Sequence, residues 1–472
     1  MRGRSPRRGW AAALAAFTLA CAGRGAGPVA LPAPDPALPE RILLISVPGF
    51  DAASLALVRD GLPVLPTLRA LAAAGAFAER VKGVAPASTY PAHATLLTGM
   101  RPAEHGVVAD RRLGERGVRS APYSHASHLR TPTLWQRVGE ADRPVASLDW
   151  PSTRGAAIDQ LLPDATLRPG FSWLDQLGDA ATPSLLAFIA DHGGASPEVA
   201  TLGPARDATL LALTCELLAG DAPPDLLLVR LGGTAPALAR FGPASSQGVQ
   251  AFGRLDRQLR ELLDCLAAAG RLDSLALAVV GDHGVAAVHT AIAANVVLAQ
   301  AGLLTPSESG LASWRAIARA NGGTAFVYAR DEQTAVSART ALTRAADTTK
   351  AFRVISAEEM IRSGADPEAW FGLEAEPGFA FGDALRGEIL TASPVRGVGG
   401  YLPGRAEMDG ALVLWGRGVR PGLLIPRMGQ VDVAPTLARL LGIELEPTTG
   451  RALVGILASA PERPVSVPGA GD

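Results

Sequence analysis

Six short apolar runs limit what this chain can fold into: "RILLISV" (41–47), "PVASLDW" (144–150), "PDLLLVRL" (224–231), "LALAVVG" (275–281), "TAFVYAR" (324–330) and "GALVLWG" (410–416). Most are apolar at nearly every position rather than every second one, the pattern of strands buried on both faces. Helical patterns separate them: "LPTLRALAAAG", "YPAHATLLTG", "TPTLWQRVGEA", "VQAFGRLDRQLRELLDCLAAAG" and "VDVAPTLARLLG". Such alternation predicts an α/β fold, a largely parallel sheet with helices on both faces, and a ligand site at the carboxyl ends of the strands.

The stretch over 301–385 reads differently. "TAFVYAR", "QTAVSARTALTRAA", "FRVIS" and "AEEMIRSG" describe a small αβ subdomain inserted before the last core strand. The core is then expected in two parts, 40–300 and 386–457. The chain has 472 residues, 48% apolar and 19% charged, enough for a sizeable core. A net charge of −1 leaves no general attraction to nucleic acid or an anionic membrane.

The ends carry no core pattern. Arg2, Arg4, Arg7 and Arg8 precede "WAAALAAFTLACA", an export signal over 1–22 that is short for a membrane span. "TLAC" can serve as a lipobox with Cys21 lipidated, giving a membrane tether. Ala20 and Ala22 equally form an A-x-A cleavage site. The mature protein is therefore expected in the periplasm or as an anchored lipoprotein. Residues 23–39, rich in Pro, Gly and Ala, read as a flexible linker, and 458–472 as a disordered tail. Cys215 and Cys265 lie in apolar helical patterns and are expected as buried thiols, although an oxidising compartment permits a disulfide.

Four stretches fall in a telling order: "ASTYPAHATLLTGMRPAEHGVVAD" (87–110), "TPTLWQRV" through "IDQLLPD" (131–164), "LALAVVGDHGVAAVH" (275–289) and "QVDVAPTLARLLGIELEPTTGRAL" (430–453). Together they resemble the type I phosphodiesterase/nucleotide pyrophosphatase family of the alkaline phosphatase superfamily, from about residue 40 to 457. The resemblance implies an alkaline-phosphatase-like three-layer sandwich. It also implies a two-zinc hydrolase in which a Thr or Ser attacks phosphorus and water releases the product, with a phosphate-ester small molecule as ligand. Two cations clamp the attacking and leaving oxygens, and each needs about three protein ligands.

Position by position, the resemblance makes Thr89 the ancestral nucleophile; by local sequence alone, a helix-capping Thr is the favoured reading. Of six expected ligands, Asp282 and His283 remain. The other positions hold Pro48, Ala235, Ala239 and Gly399. One metal site thus loses all three ligands (235, 239 and 399), and the other keeps two of three. Asp51 can replace Pro48 only if the turn folds back. Asp110 stands where nucleotide-type members place a phosphate-binding Asn; a carboxylate there repels phosphate, or is simply a loop acid. His93 and His105 fit structural positions. His125 and His128 form a loop pair, and His192 and His289 carry no motif.

The losses fall on ligands while "LWQRV", "DWPS" and "VDVAPTLARLLG" persist. The expectation is a non-catalytic member of this family that binds a phosphate ester or a protein, holding no metal or a single weak divalent ion. The alternatives are a one-metal phosphodiesterase or phosphatase using Thr89, and a structural envelope protein tethered through Cys21.

Overall fold

The computed structural model describes residues 31–114, 121–165, 171–192, 201–308 and 310–458. The stretch read as an export signal, Cys21 and residues 459–472 lie outside them. Residues 32–39 form no helix or strand. There the Asp35 carbonyl accepts the Gly418 N–H at 2.8 Å, and its carboxylate pairs with Arg417 at 3.1 Å.

The main sheet contains β1 (Arg41–Val47), β2 (Ala76–Lys82), β3 (Val145–Trp150), β4 (Gln160–Pro163), β5 (Leu226–Arg230), β6 (Leu275–Gly281), β7 (Gly410–Gly416) and β8 (Leu423–Ile425), in the order β8-β2-β7-β6-β1-β5-β3-β4. Neighbours run parallel except β7, which is antiparallel to both β2 and β6. The strand β2 does not show in the sequence, because Glu79 and Arg80 interrupt its apolar run; Arg80 pairs instead with Asp409.

The helices used below are α1 (Pro66–Ala74), α2 (Thr89–Thr98), α3 (Leu134–Glu140), α4 (Pro204–Ala219), α5 (Ala235–Phe241), α6 (Ser246–Ala268) and α7 (Val433–Leu440). Ile42, Leu44, Leu226, Leu228, Ala276 and Ala278 share one core cluster with side chains of α2, α3 and α7. The alternate residues Leu43, Ile45, Leu227, Val229, Leu277 and Val279, equally buried, face the opposite side, as the two-residue period of a strand requires. Helices α1 and α4 each pack against α6 in the second layer of helices.

The pairing of α4 with α6 corrects the reading of the cysteines. Cys215 and Cys265 are half-buried and joined by a disulfide, their Cα atoms 6.4 Å apart. Each sits in an apolar helical pattern, but neither pattern reveals that the two helices meet there.

A second, antiparallel sheet orders Ala316–Ala320, Thr324–Ala329, Phe371–Ala375 and Phe352–Ile355. The helix Glu332–Thr349 buries Ala338 and Leu342 against one face of it.

Candidate active site

Sheet register builds the site. Val47 is paired with Gly281, so the next residues, Pro48 and Asp282, leave adjacent strand ends side by side. Ser46, one residue earlier, aligns with Arg230 of β5. Helix α2 starts above these ends. Its N-cap is Ser88, with extended backbone, and Thr89 is the first helical residue. The capping position is thus one residue before the Thr, which frees the Thr89 hydroxyl from a capping role.

The Thr89 Oγ1 lies 3.5 Å from His283 Nε2, and His283 Nδ1 lies 2.9 Å from the Gly284 carbonyl oxygen. A ring nitrogen facing a carbonyl must donate, so Nδ1 carries the proton and Nε2 presents its lone pair toward the hydroxyl. Asp282 accepts the His283 N–H through Oδ1 at 2.7 Å, and its carbonyl accepts Gln430 Nε2 at 2.6 Å. Its other carboxylate oxygen, Oδ2, is buried without a hydrogen-bond partner, 3.7 Å from His283 Nε2 and 3.9 Å from His93 Nδ1.

His93 locks the helix to the sheet. Its Nδ1 donates to the Thr89 carbonyl at 2.7 Å, and Nε2 accepts from Ser46 Oγ at 2.6 Å. Complete burial lowers its pKa to about 4, so it is a neutral strut. His105, also fully buried, is lowered by burial to about 3; Nδ1 accepts Val107 N–H and Nε2 meets Thr95 Oγ1 at 3.1 Å.

Carboxylates crowd the start of α2. Asp110 accepts the Tyr90 N–H at 2.9 Å, so one of the free amides of the helix start already faces a negative charge. The Tyr90 hydroxyl donates to Asp164, which burial raises to about 6. Beneath lies an ion cluster absent from the sequence reading: Asp149 accepts Arg206 through Oδ1 and Arg230 through Oδ2. Arg230, whose charge also acts on Asp164, is thus already engaged. "DWPS" and "LLLVR" held the signal, but charged residues inside apolar runs declare no partners.

The donor set does not fit two zinc ions. Pro48 offers none, and its carbonyl accepts Thr234 Oγ1 at 2.7 Å. Ala235 and Ala239 lie on α5, and the intervening Leu238 is buried and packs its side chain against Gly49. Gly399 lies against His283 itself, where a Cβ would stand 2.7 Å from Nδ1. Asp51 does not stand in for Pro48. It caps the short helix Ala52–Ala56, accepting Ser54 N–H at 2.6 Å, because the turn continues away into that helix. Among the described residues, no group of three His, Cys, Asp or Glu side chains could hold a metal ion. The loop pair His125 and His128 stack edge to face, ring centroids 5.7 Å apart, without a third donor. His192 stacks on Phe188, and His289 contacts Phe379.

A mixed sheet between two layers of helices, with a Thr at a helix start above the strand ends, is the architecture of an alkaline-phosphatase-like sandwich. The profile of the Type I phosphodiesterase / nucleotide pyrophosphatase family matches residues 42–371, and the chain belongs to that family. Similar solved structures include human ectonucleotide pyrophosphatase/phosphodiesterase 5, 19% identical with a TM-score of 0.66, covering 89% of this chain and 100% of that one. The murine counterpart is 18% identical with the same TM-score, covering 88% of this chain and 100% of its own. An inactive variant of the murine protein, in complex with AMP, is 18% identical with a TM-score of 0.66, covering 88% and 99%. No curated protein matches the chain significantly in sequence.

Proposed function

We propose that this chain is an exported, non-catalytic member of the family, a pseudoenzyme that keeps the scaffold and binds a phosphate ester or a protein without turning it over. The observation that carries the reading is the donor set: of six ligand positions, only Asp282 and His283 hold a side chain able to coordinate. A phosphoryl group in transfer needs positive charge about its oxygens, and one lost donor alone costs roughly 10²–10³ in rate. Here the start of α2 meets Asp110 and Asp164 instead, and Asp282 lies 3.9 Å from His93 in its second turn.

The ligand class draws support from the murine relative, whose structure holds AMP. Export is supported by the pattern of residues 1–22, and the disulfide fits an oxidising compartment. Whether Cys21 is lipidated is read by fractionating Cys21→Ala beside wild type.

Metal analysis of purified protein and turnover of an aryl phosphodiester test the proposal together. The expected result is substoichiometric zinc, with any residual turnover unchanged by Thr89→Ala or a chelator. Two tightly held zinc ions per chain, or turnover abolished by both treatments, would defeat it.

A further inference from the structure

Away from Thr89, a cavity of about 350 Å³ opens between residues 106–113 and 123–130 on one side and the antiparallel sheet on the other. Its walls carry three arginines, Arg112 and Arg130 from the loop and Arg319 from the sheet, together with Tyr123, His128, Tyr328, Asp366 and Glu368. None of Thr89, Asp282 or His283 lines it.

The arginines lack the partners that usually accompany such groups. Arg319 is only 4% exposed, yet its Nη2 has no hydrogen-bond partner. Its charge acts on the phenols of Tyr123 and Tyr328, opposing the upward pKa shift that burial imposes on both. Asp366 is already engaged, accepting the Tyr328 hydroxyl at 2.6 Å and the Glu368 N–H at 2.9 Å, and Glu368 is exposed. Among the described residues, no direct ion pair joins Arg112, Arg130 or Arg319 to a carboxylate. His128 Nδ1 is likewise buried and unpartnered. Burial first, then the charge of Arg112, lowers the His128 pKa, so the ring adds a neutral dipole rather than a fourth cation.

Arg112 and Arg130 stand exposed at the rim, so the cost falls on Arg319, whose buried, unpaired N–H is expensive to keep unless an acceptor joins it. Gly106 shows that the arrangement is built into the loop. Its φ is +85°, which favours glycine, and the Arg130 side chain crosses it so closely that a Cβ there would lie 2.8 Å from Arg130 Cδ and Nε.

We infer that this cavity is a binding site for a small oxyanion, a phosphate or carboxylate group clasped between Arg112 of the loop and Arg319 of the sheet. Guanidinium forks match both groups, and a cavity of this size is at the lower end of ligand sites. The inference is independent of the reading of the Thr89 site.

Calorimetric titration of the full chain with inorganic phosphate and, separately, with succinate tests it. One of the two is expected to saturate, and which one does so identifies the group. Arg112→Gln, at an exposed position, and Arg319→Gln should each weaken that binding about tenfold or more, while Thr89→Ala leaves it unchanged. Only an ion held between the two walls is sensitive to both. Arg112→Gln keeps the test valid if Arg319→Gln does not fold. Absence of saturation by either anion up to roughly 10 mM would overturn the inference. So would affinity indifferent to Arg112→Gln, or binding abolished by Thr89→Ala.

Discussion

Gly399 is pressed against His283: a Cβ at 399 would stand 2.7 Å from His283 Nδ1 and 2.8 Å from the Ala87 carbonyl oxygen. The position where the family keeps a zinc-binding histidine has thus closed onto one of the two surviving ligands. The backbone carbonyl cannot move aside as a side chain can, so the loss at 399 is structural as well as chemical.

Metal binding should therefore be recoverable at Pro48 and not at 399. Pro48→Asp places a carboxylate beside Asp282 and His283, since Val47 and Gly281 are in register, and brings the donor count to the three that zinc requires. Metal analysis after zinc loading and desalting should find a single zinc ion per chain in Pro48→Asp. Gly399→His should gain none and unfold more easily by about 1–3 kcal/mol, as for other overpacked sites. Zinc gained by Gly399→His alone would contradict the geometry.

Asp110 fixes a negative charge on the Tyr90 amide. Asp110→Asn keeps an oxygen for that hydrogen bond and removes the charge. AMP binding, read by calorimetry in an Arg112→Gln background to silence the second cavity, should tighten by about tenfold, the scale of one close charge near a surface. Unchanged affinity would show that Asp110 does not face the anion.

The disulfide closes a span of 50 residues between α4 and α6. Cys215→Ser or Cys265→Ser should lower stability by about 2–4 kcal/mol in denaturant titration. Free-thiol labelling of the unfolded wild type should find neither cysteine without reductant.

Four buried groups pull stability in opposite directions with pH. Burial raises Asp164 to about 6 and Asp207 to about 7, and lowers His93 to about 4 and His105 to about 3. Unfolded carboxyls titrate near 3.9 and histidines near 6.5. The acids' contribution is full below about pH 4 and is lost as pH rises through 6 to 7; the histidines' contribution is full above about 6.5 and is lost as pH falls toward 3 to 4. The two trends offset each other between about pH 4 and 6. Asp207→Asn keeps an acceptor for the Gly233 N–H and removes one of the declining contributions. Relative to wild type, its stability should climb with pH by up to about 1.4 kcal/mol per unit between pH 4 and 6.5. Parallel curves for the two proteins in urea would refute this.

Much of the architecture was written locally. Apolar runs such as "RILLISV" and "LALAVVG" can only be doubly buried strands, and each is one. The helices at 246–268 and 433–440 follow from three- and four-residue spacing. The residues at the ligand positions the resemblance implies were legible too, because Pro48, Ala235, Ala239 and Gly399 are facts of identity that need no coordinates.

What tertiary structure decided is which distant residues meet. Strand register set Pro48 beside Asp282, helix packing joined Cys215 to Cys265, and the turn after α2 swung Asp110 onto Tyr90. The arginine-lined cavity joins residues 112 and 319, whose neighbours in sequence suggest nothing in common. Periodicity reports the face a residue turns to the core, a property of a few neighbouring positions. Electrostatics and steric closure depend on distances across the fold, and those exist only once the chain has packed.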